Sequence, residues 1–294
     1  MNGQTYMTVP AFRANKVRSG AKPLVMVTAY DAPGARIADH AGVDGILVGD
    51  SVGNTVLGYE DTLAVTIDDM VHHTRAVARV RPHALVISDM PWMTYHVNEA
   101  ETLHHAAALI RAGAQGVKLE GGRQRVAMIT ALIDAEIPVM GHLGLTPQSR
   151  NVMGGYKVQA RELDSAVRLI EDARLLADAG CFSIVLEGVP DVVASIVTES
   201  VDVPTIGIGA GASCDGQVLV FHDVLGLSVG ATKPKFVKQY DNLGERAVEA
   251  LARYTQDVRA KTFPSEEESY HLSAEVLDAL QKRLQDDENG SVGR

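Results

Sequence analysis

Eight short runs rich in valine, isoleucine and leucine recur along the chain, at residues 24–29, 45–49, 84–89, 116–120, 137–142, 182–187, 205–209 and 218–222. Most do not alternate with polar residues, which is the pattern of strands buried on both faces. Helical patterns lie between most of them. Thr66 and Asp69 frame a capping-box-like start, followed by Met70, Val71, Thr74, Val77 and Ala78 at helical spacing. Asn98 with Glu101 opens a second helix; residues 165–179 form a third, ending at Gly180; Pro190 opens a fourth, through Ser200. A last helix over residues 243–254 is expected to close the structure. Strand–helix alternation implies parallel strands with right-handed crossovers, and eight such units predict a (β/α)8 barrel. The stretch from Gly209 to Val218 is too short for a full crossover helix, so a loop or a single helical turn must serve there. An open doubly wound sheet is the alternative.

The chain of 294 residues suffices for one large α/β domain. Residues 1–22 read as an N-terminal arm, 23–263 as the catalytic barrel, and 264–294 as a polar C-terminal helix and tail, with a surface helix over 274–284 and frayed last residues. The formal net charge of −10 argues against nucleic-acid binding, which needs a basic surface. Two cysteines, Cys181 and Cys214, imply neither a disulfide framework nor a zinc motif. The first residues lack a secretory-type apolar segment, and no run is long enough to span a membrane. A cytoplasmic protein without membrane contact is the expectation.

Four carboxylates sit at the ends of these runs: Asp50 directly after the second, in GILVGD, Asp89 in ALVISD, Glu120 in GVKLE and Glu187 in SIVLE. In a parallel barrel all C-terminal strand ends open onto one face, so these four carboxylates would converge there. Convergent carboxylates without cysteine or clustered histidine suggest a hard divalent cation, Mg²⁺ or a relative, bound through oxygen. Within Gly116-Val-Lys-Leu-Glu120, Lys118 and Glu120 share one face of the strand while Val117 and Leu119 share the other. If the apolar pair packs on helices, the charged pair points into the barrel. It is then either a structural ion pair or a metal contact at Glu120 with an anion-binding lysine beside it.

Asp50 and Asp89 could each be simple turn residues. Both, however, precede long loops, with no clear helix until Thr66 and Asn98 respectively. Ser51 and Gly53 add backbone N–H groups suited to a carboxylate, and the loop after Asp50 has no evident packing purpose. Glu187 is equally readable as a helix-start acid or as a general acid or base. His142 is a structural residue or a polar substrate contact. The segment 145–161, with Gly154 and Gly155, is a lid or a plain surface loop. Gly207-Ile-Gly-Ala-Gly211 is neither a dinucleotide fingerprint nor a P-loop, so it is read only as backbone that must bend tightly. Adjacent His72 and His73 do not share a helix face and carry no site.

Several strings taken together resemble the 3-methyl-2-oxobutanoate hydroxymethyltransferase (ketopantoate hydroxymethyltransferase) family. They are Val27-Thr-Ala-Tyr-Asp31, Leu47-Val-Gly-Asp-Ser51, Gly141-His-Leu-Gly-Leu-Thr-Pro-Gln-Ser149, Gly154-Gly-Tyr-Lys-Val-Gln159 and Ile206-Gly-Ile-Gly-Ala-Gly211, with Asp215-Gly-Gln217 and His222-Asp223. The match runs in order over about residues 20–260, leaving the arm and tail outside.

The resemblance implies a TIM barrel of the phosphoenolpyruvate/pyruvate type, assembled as a homodecamer. It implies transfer of a hydroxymethyl group from the co-substrate 5,10-methylenetetrahydrofolate to 3-methyl-2-oxobutanoate. The route is a Mg-stabilised enolate, and the product is 2-dehydropantoate, in pantothenate biosynthesis. Residue by residue, the family's metal positions fall on Asp50, Asp89 and Glu120; its substrate contacts fall on Asp50, Ser51, Asp89 and Lys118; its proton acceptor falls on Glu187. Trp92 and Gly188 depart from common family residues without touching a ligand role, and no motif maps the folate contacts.

Two rivals remain at this level. A metal-dependent carbon–carbon lyase or mutase of the isocitrate lyase type would use the same enolate logic, but its Lys-Lys-Cys-Gly-His string is absent. A non-catalytic keto-acid-binding barrel would have to keep four acids and an inward lysine idle, at a cost in stability.

Overall fold

Alternation along each short strand sets the architecture, because successive side chains point to opposite faces. The computed structural model describes residues 5–230 and 233–291. It contains eight strands: β1 (Leu24–Thr28), β2 (Gly45–Val48), β3 (Leu85–Asp89), β4 (Gly116–Glu120), β5 (Val139–Gly144), β6 (Ser183–Glu187), β7 (Thr205–Ile208) and β8 (Gly216–Leu219). They pair in parallel in sequence order and close β8 onto β1. The (β/α)8 barrel is therefore observed, and the open sheet is excluded.

The helices are α1 (Val9–Arg13), α2 (Ala32–His40), α3 (Val52–Thr55), α4 (Ile67–Ala78), α5 (Glu99–Ala112), α6 (Val126–Asp134), α7 (Arg150–Met153), α8 (Leu163–Asp178), α9 (Asp191–Ser200), α10 (Phe221–Leu225), α11 (Leu243–Ala260) and α12 (Ala274–Ser291). The start signals at α4 and α5 act as the sequence predicts. Thr66 and Asp69 make the reciprocal capping box, and the Asn98 side chain accepts from the Glu101 N–H. Residues 209–215 cross from β7 to β8 without a helix.

Several boundaries differ from the sequence reading: the third helix starts two residues earlier than 165, the helix read over 243–254 runs on to Ala260, and two strands shift. Strand β5 begins and ends two residues later than 137–142, because Pro138 cannot donate to the ladder while Leu143 and Gly144 pair with Leu186 and Glu187. The last strand is Gly216–Leu219, and His222 lies on helix α10. Gly216 passes so close to β1 that a Cβ there would stand 2.6 Å from the Leu24 carbonyl oxygen, and this glycine extends the strand backward.

Two apolar layers form the core. The outer layer lies between strands and helices and includes Val117 and Leu119 of β4 with Leu109 of α5 and Ile129 and Leu132 of α6. The inner layer fills the barrel and includes Met26, Leu47, Leu85, Ile87, Met140 and Val218. Phe12 of α1 joins this inner layer, fully buried, with its ring edge-on to Phe182 at 5.8 Å. Burial of such a ring stabilises by about 1.5–3 kcal/mol. The arm is fixed by Lys16, whose buried ammonium meets the Asp215 carboxylate at 2.6 Å and the carbonyls of Thr198 and Val203. Asp215 also accepts from the N–H groups of Val17 and Thr205.

Residues divide into two compact units, Met1–Asn242 and Leu243–Arg294. The first holds the barrel. The second consists of α11, α12 and a short 3-10 turn at Glu266–Glu268, where Ser265 and Glu268 cap reciprocally. The surface helix expected over 274–284 is observed and extends to Ser291, while the fraying expected of the last residues falls outside the described ones. Among the described residues no helix is long and apolar enough to cross a membrane.

Candidate active site

Packing Val117 and Leu119 outward leaves Lys118 and Glu120 pointing inward, and both are buried at 4% exposure. Parallel register places Asp89 beside Lys118 and His142 beside Glu120 on neighbouring strands. Asp50 and Glu187 arrive at the same end from β2 and β6. These six residues, with Ser51, line one cavity of about 310 Å³. All the acids singled out in the sequence therefore meet at the C-terminal strand ends.

The contacts within the cluster are specific. The Lys118 ammonium lies 2.9 Å from Asp89 Oδ1, and the Asp50 N–H donates to Asp89 Oδ2 at 3.0 Å. Gly49 keeps the place of Ser51 clear, since a Cβ there would sit 2.9 Å from Ser51 Oγ and force the hydroxyl to shift. His142 bridges the other two acids, with Nδ1 3.4 Å from Glu120 Oε1 and Nε2 3.3 Å from Glu187 Oε2. Its Nδ1 is also 3.3 Å from the Lys118 ammonium. The Ser51 hydroxyl bonds the Tyr30 hydroxyl at 2.8 Å, which in turn accepts from Thr28.

Buried negative charge exceeds buried positive charge here. Burial first, and then the neighbouring Asp89 and Glu120, push the Asp50 carboxyl well above the usual carboxylate range. Burial likewise raises Asp89, against the pull of Lys118. Burial alone would lower the Lys118 ammonium, but Asp89, Glu120 and Asp50 together hold it above its ordinary value. Burial and Lys118 both oppose protonation of His142, yet its contacts with Glu120 and Glu187 raise it to about 9. A protonated Nδ1 facing the lysine is the less favourable half of that balance. We favour the upward direction because a carboxylate stands at each ring nitrogen.

Donor type and charge suit a divalent cation. Four carboxylates face at most two positive side chains, and Asp89 Oδ1 is buried without an aligned hydrogen-bond donor, Lys118 approaching it off-angle. Among the described residues, however, no three His, Cys, Asp or Glu side chains form a ready cage for an ion. Mg²⁺ commonly keeps several waters and takes only one or two carboxylates plus substrate oxygens, so this arrangement fits that mode of binding.

Sequence reasoning missed the residue that ties the acids together. Gln148 is buried in the turn Pro147–Ser149 and donates through Nε2 to Asp50 Oδ2 at 2.8 Å and to the Met90 carbonyl at 3.1 Å. Its N–H donates to Glu120 Oε2 at 3.1 Å, and its Oε1 accepts from Tyr95. The available signal was its place in the string from Gly141 to Ser149. The loop after Asp50 also has a packing purpose, contrary to the sequence reading. Val52 is fully buried, and Asp61 caps a 3-10 turn while pairing with Arg150 at 2.9 Å. Arg150 in turn lies over the Tyr156 ring, 5.5 Å from its centroid. His73 serves structure, with Nδ1 2.7 Å from the Tyr30 carbonyl.

A closed parallel barrel with this layout is shared with solved enzymes of the phosphoenolpyruvate mutase/isocitrate lyase superfamily. The structure of 2,3-dimethylmalate lyase aligns over 96% of this chain and 98% of that one, with a TM-score of 0.56 and 17% identity. Such identity establishes the fold alone. Much closer relatives carry the name 3-methyl-2-oxobutanoate hydroxymethyltransferase. The Bradyrhizobium diazoefficiens protein of that name (number 2) is 54% identical over 93% of this chain and 92% of its own length; that of Syntrophomonas wolfei is 51% identical over 93% and 99%. With residues 6–266 matching the family model for ketopantoate hydroxymethyltransferase, the chain belongs to that family of transferases. The match begins at residue 6, so the arm, placed outside the resemblance by motif reading, is part of the family's common body.

Proposed function

We propose that this chain transfers a hydroxymethyl group from 5,10-methylenetetrahydrofolate to 3-methyl-2-oxobutanoate, giving 2-dehydropantoate in pantothenate biosynthesis. The observation that carries the reading is the single cavity in which Asp50, Ser51, Asp89, Lys118, Glu120 and Glu187 meet, within a chain of this family. Asp50, Asp89 and Glu120 would hold a Mg²⁺ or similar divalent cation, directly or through water. When bound, the cation supplies Lewis-acid polarisation of the keto acid's oxygens.

Glu187 is the candidate acceptor of the C3 proton. Its side chain is 15% exposed, at the mouth of the cluster, while Asp89, Lys118, Glu120 and His142 lie deeper. His142 orients the Glu187 carboxylate from below. As the C3–H bond breaks, negative charge builds toward the keto oxygen, and the Lys118 ammonium offsets it in a buried setting where such charge is effective. Ser51, steadied by Tyr30, offers a hydroxyl to the substrate carboxylate. The C3 electron pair then forms a bond to the methylene carbon of the donor. That carbon loses its two bonds to nitrogen, water supplies the hydroxyl group, and tetrahydrofolate leaves with the proton taken from C3 and the second proton of water on its two nitrogens. Homodecameric assembly and a cytoplasmic location belong to the same reading, on the family resemblance.

The test is C3 proton exchange of 3-methyl-2-oxobutanoate in D₂O, followed by NMR with Mg²⁺ and with EDTA. Exchange that needs the metal supports the assignment. Absence of exchange and of product, with the folate donor also present, would remove this substrate.

A further inference from the structure

The carboxylate cavity, at about 310 Å³, suits a five-carbon keto acid and is too small for a folate as well. A larger cavity of about 860 Å³ adjoins it, and the two share Leu145, Tyr156, Pro234 and Phe236. We infer that this second cavity binds the one-carbon donor, with Tyr156 and Phe236 flanking its flat heterocycle and Lys157 and Lys235 meeting its glutamate carboxylates. The inference rests on the proposed transfer and adds the donor's site to it.

Reaction geometry narrows the choice. A carbon handed directly to C3 must sit about 3–3.5 Å from it, so the donor must occupy space continuous with the first cavity. The cavity of about 550 Å³ beside Arg168 and Asp172 shares no lining residue with the carboxylate cavity. The cavity of about 440 Å³ between α2 and α10 is lined by no charged side chain. The adjoining cavity has two lysines and no acid on its walls, in a chain of net charge −10. That is a local field suited to an anionic tail.

Its floor also accounts for the glycine string after β7. Gly209 and Gly211 take left-handed backbone, at φ 62° and 80°. A Cβ at Gly209 would stand 2.9 Å from the Phe236 ring, and one at Gly211 would stand 2.5 Å from Asp191 Cβ. Bare backbone lets Phe236 approach the floor closely at Gly209 and lets the chain pass Asp191 at Gly211. Tyr156 and Phe236 are 52% and 39% exposed, which leaves ring surface for a flat ligand.

The probes are tetrahydrofolate with one and with three glutamates, and 6-methyltetrahydropterin, titrated calorimetrically into the full-length enzyme holding Mg²⁺ and the keto acid. Both lysines are exposed, so the double variant Lys157→Glu/Lys235→Glu tests charge without disturbing the core. The expected result is about tenfold weaker binding of the monoglutamate, a larger loss for the triglutamate, and no change for the pterin. The wild-type affinity for the folates should fall with salt and the variant's should not. Equal folate affinity in wild type and variant would overturn the assignment while leaving the transferase reading intact. Failure of wild type to bind any folate, with no product formed, would remove both.

Discussion

Replacing Gln148 by methionine keeps length and apolar bulk while deleting the amide that joins the acids. In the structure the amide donates to Asp50 and to the Met90 carbonyl, and accepts from Tyr95. A hydrogen bond to an ionised group contributes about 1.5–3 kcal/mol, and a neutral one about 1 kcal/mol. Asp50 is 5% exposed, so solvent screens little of this.

The loss should also depend on pH, in a definite direction. The folded Asp50 pKa lies above its ordinary value, so its ionisation costs stability as pH rises through that range. Gln148 opposes this rise, and Gln148→Met lifts the folded pKa further. At pH 8, where Asp50 is more ionised, unfolding in guanidinium with EDTA should show a loss of about 3.5–5 kcal/mol. At pH 5, toward the protonated form, the loss should shrink to about 3 kcal/mol, from three neutral bonds. Melting at pH 8 should fall by about 7–20 °C, taking 2–4 °C per kcal/mol. An equal loss at both pH values, or one under about 0.5 kcal/mol at pH 8, would refute the reasoning.

Glu187→Gln should leave keto-acid binding largely intact and slow C3 exchange by about 10²–10⁴-fold, the usual reach of a general base; exchange at the wild-type rate would end that role. Asp89→Asn should weaken Mg²⁺ binding in a calorimetric titration, and an unchanged isotherm would exclude Asp89 as a ligand, direct or through water. Lys16→Ala strands Asp215, which is 1% exposed, and should cost about 3–5 kcal/mol in guanidinium unfolding; a loss below about 1 kcal/mol would mean the arm is not clamped by this pair. Cys181 is fully buried and its thiol is pushed up by burial to about 12, and Cys214 is buried and raised in the same direction. Neither should react with a thiol reagent at pH 8 until denaturant is added; rapid labelling of native protein would contradict this.

Most of the site was legible because strand chemistry is local. The alternation in Val117, Lys118, Leu119 and Glu120 states which face meets helices, and that alone turns the charges inward. The acid-ended runs then converge by barrel geometry. Gln148 and Tyr95 were missed for the opposite reason. Each lies beyond its strand in irregular backbone, and contact with Asp50 spans 98 positions that no periodicity encodes. Strand β8 was misplaced because Gly216 and Gln217 lack the apolar, branched character that marks a strand, while Phe221 and His222 on α10 continue an apolar run. Helix α2 went unread in the sequence, and its start is set by Asp31, whose side chain accepts from the Gly34 N–H.

The clamp on the arm has a consequence for synthesis. Lys16 emerges from the ribosome early, but its carboxylate partner lies 199 positions later. Phe12, likewise, packs against a ring that follows far downstream at Phe182. At about 5–20 residues per second, the arm therefore waits roughly 10–40 s with an apolar ring and a charge both unmatched. Nascent chains stalled before Asp215 should expose the arm to proteases and chaperones, and chains stalled well beyond it should not. Barrel closure and arm docking then become one late event, timed by the last strand rather than by the first.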